Sequence, residues 1–158
     1  MAFDGITLHS IIKELQILVD GKVNQIYEPT GNTIYMSIYN KKSYALNIDT
    51  TASNYRIHLT THSNENPIQA PNFCMILRKY LISSKIKKIY IEGLERICYI
   101  EFECFNEMND KVTRTLAIEL MGKYSNIILL NENNTIIDAL KKYDSEGKSR
   151  DIMPRKKV

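Results

Sequence analysis

The residues most able to do chemistry cluster in the stretch 116–126. Leu116, Ile118 and Leu120 alternate as in a strand, and the pattern stops at Gly122. An acid, Glu119, stands just before this bend, and a base, Lys123, stands just after it, followed by a phenol, a hydroxyl and an amide at residues 124–126. An ordinary turn needs only Gly with Asn or Asp. The stretch therefore reads either as a decorated β-turn or as a binding corner.

The other reactive side chains do not form an enzymatic or metal-binding motif. The three histidines (His9, His58, His62) lack metal-ligand spacing, and the chain has neither a Gly-rich phosphate loop nor a Ser nucleophile elbow. The three cysteines (Cys74, Cys98, Cys104) lack CxxC spacing and fall in apolar patterns. We interpret them as buried free thiols of a protein in a reducing cytoplasm. We predict no metal, no cofactor and no enzymatic activity.

Positive charge is concentrated in two segments, although the net charge is only +3. Residues 78–88 hold five basic side chains and no acid, namely Arg78, Lys79, Lys85, Lys87 and Lys88. Residues 141–158 hold seven basic and three acidic side chains. This distribution favours an anionic partner, and the first segment supplies additional candidate nucleic-acid contacts.

The elements that would position these residues follow from hydrophobic periodicity. Apolar residues at helical spacing predict one amphipathic helix over residues 7–19, with Gly21 as its left-handed cap, and a second over residues 73–81. About nine short alternating segments predict antiparallel strands. We expect an α+β fold, a two-sheet antiparallel β-sandwich with two flanking helices. Residues 1–140 form this domain, and residues 141–158 form a mobile basic tail or the start of a linker.

Several segments resemble the N-terminal domain of the NFACT family. The matching segments are Met1-Ala2-Phe3-Asp4-Gly5-Ile6, Asn66-Pro67, residues 71–81, Gly93-Leu94-Glu95-Arg96 and residues 119–129. Bacterial members of this family were first catalogued as fibronectin- or fibrinogen-binding proteins. They are similar to the ribosome-associated quality-control factor, whose eukaryotic relative is the nuclear export mediator factor. Family members are much longer, so the resemblance implies that this chain is a fragment.

The resemblance also implies a mechanism and a site. The family factor binds the large ribosomal subunit carrying peptidyl-tRNA, brings in alanyl-tRNA and supports a template-free alanine tail on stalled chains. The tRNA-binding positions implied here are Glu95, Arg96, Glu119, Leu120 and Met121, and we add Lys123 beside them. The family has Asp where this chain has Glu95, which leaves Arg96 unchanged and lengthens the acid by one methylene.

These two segments are expected to meet. If residues 97–105 and 111–121 pair through the turn at 106–110, the numbers of paired residues sum to roughly 216, by antiparallel pairing. Arg96 then faces Leu120 within a residue or two. Without the resemblance, a solvent ion pair in a tight turn is the favoured interpretation of Glu95 and Arg96, and the resemblance shifts the preference to the binding site.

Two other function classes remain as alternatives. The family fold resembles the N-terminal domain of formamidopyrimidine-DNA glycosylases, but Ala2 and Phe3 stand where those enzymes need a proline nucleophile and a glutamate. A fibronectin-binding adhesin is the second alternative. The start of the chain lacks the basic and apolar segments of a secretory signal, which together with the free cysteines favours a cytoplasmic protein.

Overall fold

The fold is that of a computed structural model, which describes residues 5–53, 55–60, 71–91 and 96–141, without the side chains of residues 5–7 and 123. Helix α1 (Gly5–Leu15) continues into a 3-10 turn (Gln16–Leu18), and helix α2 (Asn72–Leu81) follows the first four strands. The strands are β1 (Lys22–Thr30), β2 (Thr33–Tyr39), β3 (Ser43–Asp49), β4 (Arg56–Thr60), β5 (Lys85–Ile91), β6 (Ile97–Phe105), β7 (Lys111–Glu119), β8 (Asn126–Leu130) and β9 (Ile136–Ala139). The predicted α+β class and both helices are confirmed.

The strands form one antiparallel sheet in the order β4-β3-β2-β1-β5-β6-β7-β8-β9, so the prediction of two separate sheets is corrected. The first half of the sheet (β1–β4) joins the second half (β5–β9) at a short seam between β1 and β5. There Lys22 pairs with Lys85, and the Ile86 N–H donates to the Gly21 carbonyl at 2.9 Å. Ser83 reverses the chain after α2 with a φ of 68° and thereby sets β5 against β1. The resemblance to the glycosylase domain stays a prediction.

The sheet nevertheless folds back on itself around one core. Buried side chains from both halves belong to the same apolar cluster, for example Met36 and Ile48 from the first half with Phe102 and Ile127 from the second. Helix α1 packs between β4 and β5, and α2 packs against β1, β6 and β9. The chain therefore encloses its core as a sandwich does, with both halves hydrogen-bonded in one sheet.

The turn after α1 differs in detail from the prediction. The left-handed residue is Asp20, with a φ of 75°, and not Gly21. Gly21 is required for space instead, because a Cβ there would lie 2.8 Å from Ile38 Cγ2 and 2.8 Å from the Leu18 carbonyl oxygen. The glycine lets the chain enter the seam between β1 and β5.

Helix α2 covers the edge that β1 leaves open beyond the seam. The Arg78 Nε–H donates to the Ile26 carbonyl at 2.7 Å, and the Cys74 thiol donates to the same oxygen at 3.5 Å. An uncovered strand edge is prone to unwanted pairing with other chains. The helix thus supplies two donors to a backbone acceptor of β1 and shields it.

Lys141 belongs to the domain and not to the predicted tail. Its Nζ donates to the Thr50 carbonyl at 2.7 Å, which ties the end of β9 to the end of β3. The rest of the predicted tail, residues 142–158, lies outside the described residues. Within the described part of the chain, no helix is long and apolar enough to cross a membrane.

Candidate nucleic-acid interface

The two predicted binding segments meet at one corner of the sheet. Ile97 pairs with Glu119 and Phe105 with Lys111, which is the predicted register. One step beyond, the Leu120 N–H donates to the Arg96 carbonyl at 2.9 Å. The expected juxtaposition of Arg96 with Leu120 is therefore confirmed.

Side-chain burial divides the residues at this corner into supporting and accessible ones. Leu120 is fully buried in the core, and Glu119 is only 5% exposed on the opposite face of β7. Met121 and Tyr124 are 38% and 42% exposed, and Arg96 is partly exposed. Arg96, Met121 and Tyr124 can therefore touch a partner directly, whereas Leu120 can act only by anchoring the corner.

The turn after β7 is held by its own side chains. The Met121 N–H donates to the buried Ser125 Oγ at 2.8 Å, and Gly122 supplies a φ of 58°. Ser hydroxyls commonly accept from backbone groups in this way, and a positive φ favours glycine. The hydroxyl and the glycine in this stretch thus fix the backbone conformation that presents Met121 and Tyr124.

Asn126 fixes the same corner from the other side. Its Oδ1 accepts from the Lys141 N–H at 2.8 Å, and its Nδ2 donates to the Lys141 carbonyl at 2.9 Å. The side chain is fully buried, so this amide is committed to joining the ends of β8 and β9. The decorated-turn interpretation therefore holds for Ser125 and Asn126.

Two predicted site positions are not described. Glu95 lies outside the described residues, as does the side chain of Lys123. Pairing between Glu95 and Arg96, and the part that Lys123 takes in the site, stay predictions.

The basic segment of β5 lies away from this corner and carries mixed charge. Lys88 pairs across the sheet with Glu101 in the middle of β6, and Lys85 pairs with Glu103 nearer the end of β6 that is remote from Arg96. Lys85 Nζ also lies 3.5 Å from Asp20, and Lys87 Nζ donates to Thr113 Oγ1 at 3.2 Å. The local sequence suggested a purely positive patch, but strand pairing brings two carboxylates against it.

Arg78 and Lys79 have different environments. Arg78 is half-buried, and its guanidinium lies 5.5 Å from the ring centroid of Tyr27 while its Nε holds the Ile26 carbonyl. Arg78 therefore joins α2 to β1. The sequence analysis, which counted it among the candidate nucleic-acid contacts, did not predict this role. Lys79 is exposed, with its Nζ 5.3 Å from the Tyr80 ring centroid, and remains available to a partner.

Arg114 is a buried cation that the sequence analysis missed. Its Nη1 donates to the Tyr80 carbonyl at 3.0 Å, and its guanidinium lies 4.8 Å from the Tyr80 ring centroid. It occupies an inward position of β7, between Val112 and Leu116, where an arginine in an apolar alternation signals a specific partner. Its partner is the end of α2, where cations are favoured.

Glu28 is a second buried charge that the sequence analysis missed. Burial raises the pKa of its carboxyl, and the hydrogen bond from the Cys74 N–H in the first turn of α2 acts in the opposite direction. Its Oε1 has no hydrogen-bond partner among the described residues. The carboxyl therefore contributes one hydrogen bond to the helix start in a poorly solvated place.

The cysteines agree with the prediction of buried free thiols. Cys74, Cys98 and Cys104 are all buried and unpaired with one another. Burial raises the pKa of Cys98 to about 12, so the thiolate that would bind a metal or attack a substrate is disfavoured. These thiols serve the core.

Comparison with known proteins identifies relatives over almost the whole chain. The family described as NFACT N-terminal and middle domains matches residues 4–157. The Rqc2 homolog RqcH of Bacillus subtilis is 35% identical over 158 residues, covering 98% of this chain and 28% of the relative. The archaeal Rqc2 homolog aRqcH of Methanocaldococcus jannaschii is 29% identical over 151 residues, covering 93% of this chain and 21% of the relative. This chain thus spans under a third of the length of these relatives.

Solved structures share the fold closely. The N-terminal domain of the fibronectin-binding protein PavA from Streptococcus pneumoniae superposes with a TM-score of 0.94 at 35% identity, covering 99% of this chain and 61% of that one. The N-terminal part of the fibronectin/fibrinogen-binding protein from Streptococcus suis gives 0.93 at 34% identity, covering 99% of this chain and 60% of that one. With the family match over residues 4–157, these likenesses establish that the chain belongs to the NFACT family and carries its N-terminal region.

Proposed function

We propose that this chain is the tRNA- and large-ribosomal-subunit-binding module of a ribosome-associated quality-control factor. In that role it helps to position alanyl-tRNA beside a stalled peptidyl-tRNA for template-free tailing. The support at the level of the family is its similarity to proteins named Rqc2 homolog RqcH, at 35% identity over 158 residues.

The observation that carries the proposal is the corner formed by Arg96 and the end of β7. The 2.9 Å hydrogen bond between the Leu120 N–H and the Arg96 carbonyl holds these two segments side by side. Arg96 and the turn that carries the exposed Met121 and Tyr124 thus share one corner, where a guanidinium can pair with phosphate and a thioether and a phenol can contact an unpaired base.

The rigid surroundings of the corner favour recognition over catalysis. Leu120, Ser125 and Asn126 are fully buried, so the exposed side chains stand on a fixed base. Binding residues are commonly placed on loops that a rigid sheet positions. We propose that the module is not an enzyme, and that it works in the cytoplasm, where its three free cysteines stay reduced.

A fibronectin-binding module is the second candidate function. The observation in its favour is the likeness to a structure named as fibronectin-binding protein PavA, with a TM-score of 0.94. Such a role would place the same domain in contact with an extracellular protein.

Parallel binding measurements separate the two candidates. Immobilised chain is titrated with bulk tRNA, with a duplex DNA of similar charge and with fibronectin. We expect saturable tRNA binding that weakens as salt rises, because phosphate contacts release counterions. Binding of fibronectin alone would contradict the proposed function and support the second candidate.

A further inference from the structure

A groove lies on the outer face of the second half of the sheet, opposite the core. Its volume is about 470 Å³, and strands β5, β6, β7 and β8 contribute to it. This size lies within the range of small-molecule sites. It is large enough for a single heterocyclic base.

One wall of the groove is an aromatic pair with a cation at its end. Tyr90 and Tyr99 are cross-strand partners whose rings stack with centroids 5.3 Å apart and planes inclined by 23°. Lys88 Nζ lies 4.6 Å from the Tyr90 ring centroid. Both tyrosines are half-buried on the face of the sheet that turns away from the main core, where Tyr99 packs against a second, smaller apolar cluster that includes Leu130.

The rest of the groove is polar. Thr113 and Thr115 of β7 line it, and Glu132 and Asn134 of the β8–β9 turn complete it. Glu101 lies between the two sides, because it pairs with Lys88 on β5 and with Thr115 on β7. The lysine thus marks one rim, and hydrogen-bond acceptors occupy the opposite side.

We propose that this groove receives an unpaired RNA base, with its phosphate at Lys88 and its exocyclic amino group at Glu101 or Glu132. Aromatic surfaces beside a cation are the usual means of holding unpaired nucleotides. Carboxylates accept hydrogen bonds from amino groups, so cytosine is preferred to uracil here.

The groove extends the proposed RNA interface, and the inference rests on that proposed function. Tyr99 is two positions from Ile97, whose cross-strand partner is Glu119, so the groove begins about 7 Å along β6 from the corner at ~3.3 Å per residue. One RNA segment can therefore reach both.

The test measures binding of single-stranded oligocytidine and oligouridine of equal length to the 158-residue chain. Tyr90→Leu should weaken oligocytidine binding about 5- to 140-fold, which corresponds to the ~1–3 kcal/mol that stacking on one aromatic side chain contributes. Tyr90→Phe keeps the aromatic ring, so its affinity for oligocytidine should stay within about twofold of that of the unmodified chain. Glu101→Gln should reduce the preference for oligocytidine over oligouridine.

Two further variants control for folding and location. Lys88→Gln removes the ammonium group over the Tyr90 ring but leaves the ring in place, and it should weaken binding of both oligomers, so it tests the groove even if Tyr90→Leu unfolds. Tyr39→Leu removes a tyrosine that is 51% exposed on the other half of the sheet and should leave binding unchanged.

The outcomes distinguish this inference from the proposed function. Normal RNA binding by Tyr90→Leu and Lys88→Gln, together with loss in Arg96→Ala, would overturn the groove proposal and leave the corner intact. No RNA binding by the unmodified chain would overturn both. If Tyr90→Leu lost binding of an arginine-rich peptide but kept normal binding of RNA, the groove would be assigned to a protein partner instead.

Discussion

At the scale of single residues, four charged side chains are buried or half-buried and are hydrogen-bonded to backbone atoms. Arg78, Arg114 and Lys141 each donate to a main-chain carbonyl, and Glu28 accepts from a main-chain N–H. A hydrogen bond from a charged side chain to a backbone carbonyl contributes more to stability than an exposed ion pair does. Counting charges along the sequence therefore overestimates the number available to an anionic partner.

Arg78 provides a direct test of this reassignment. Arg78→Met should lower the free energy of unfolding by about 1.5–3 kcal/mol, the usual contribution of a hydrogen bond to a charged group, because the Ile26 carbonyl loses its donor. Urea unfolding measures the change. Lys79→Met on the same helix is the control, and its free energy of unfolding should stay within about 0.5 kcal/mol of that of the unmodified chain. If both substitutions changed the free energy of unfolding by the same small amount, Arg78 would again be interpreted as a surface residue available to an anionic partner.

Glu28 gives the stability of the chain a pH dependence. Burial raises the pKa of its carboxyl in the folded chain, so the folded state holds this proton more firmly than the unfolded state. The resulting stabilisation is present below the unfolded pKa and is lost as pH rises through the folded pKa. Glu28→Gln keeps an acceptor for the Cys74 N–H and should melt at a higher temperature than the unmodified chain at neutral pH.

The melting difference should disappear at about pH 3, below the ordinary Glu pKa. A variant that is less stable than the unmodified chain at neutral pH would show that the carboxylate is ionised and stabilises the start of α2 instead.

At the scale of elements, local alternation predicts strands well and remote pairing poorly. The alternating burial of β6 and the register of the β6–β7 hairpin follow from period-2 spacing and a short turn, and both are confirmed. The seam between β1 and β5 joins residues more than sixty positions apart, through Lys22 and Lys85, and no local pattern marks it. The same holds for Arg78, whose partner lies 52 positions away.

Phe102 tests the orientation of β6. It is fully buried in the core that both halves of the sheet share, so Phe102→Ala should cost about 3–5 kcal/mol of stability. Phe105→Ala, three positions later, removes a ring that is 59% exposed and should cost no more than about 0.5 kcal/mol. Chemical denaturation compares the two, and a similar loss in both would show that the faces of β6 are misassigned.

At the scale of the whole molecule, the two halves are joined by a shared apolar core, by both helices, by a narrow seam and by the contact of Lys141 with Thr50. The seam depends on the absence of a side chain at Gly21, since a Cβ would lie 2.8 Å from Ile38 Cγ2. The Lys141 contact with Thr50 joins the end of edge strand β9 to the end of β3, which is the neighbour of the other edge strand, β4. The proposed tRNA-binding corner lies on the second half of the sheet and is joined to this contact through the hydrogen bonds between Asn126 and Lys141.

Glycine substitutions test the seam. Gly21→Ala should destabilise the chain by about 1–3 kcal/mol, the usual cost of overpacking, because the new Cβ would lie 2.8 Å from both Ile38 Cγ2 and the Leu18 carbonyl oxygen and would force a shift. Gly31→Ala is the matched control, since no described residue other than Gly31 and its two chain neighbours lies within 4 Å of the position that the new methyl group would take. Thermal unfolding compares the two variants. A Gly21→Ala chain as stable as the Gly31→Ala chain would contradict the close approach of Ile38 and Leu18 to Gly21.

The central claim, that the corner at Arg96 binds tRNA, is tested most directly by the tRNA affinity of Arg96→Ala. This variant keeps the backbone carbonyl that accepts from Leu120, so the fold should be unchanged. We expect tRNA binding to weaken about 5- to 140-fold, from the ~1–3 kcal/mol of a specific arginine contact. Arg56→Ala, an exposed arginine on β4, should bind like the unmodified chain. Equal tRNA affinity of the Arg96 and Arg56 variants, with unchanged melting temperatures, would contradict the claim.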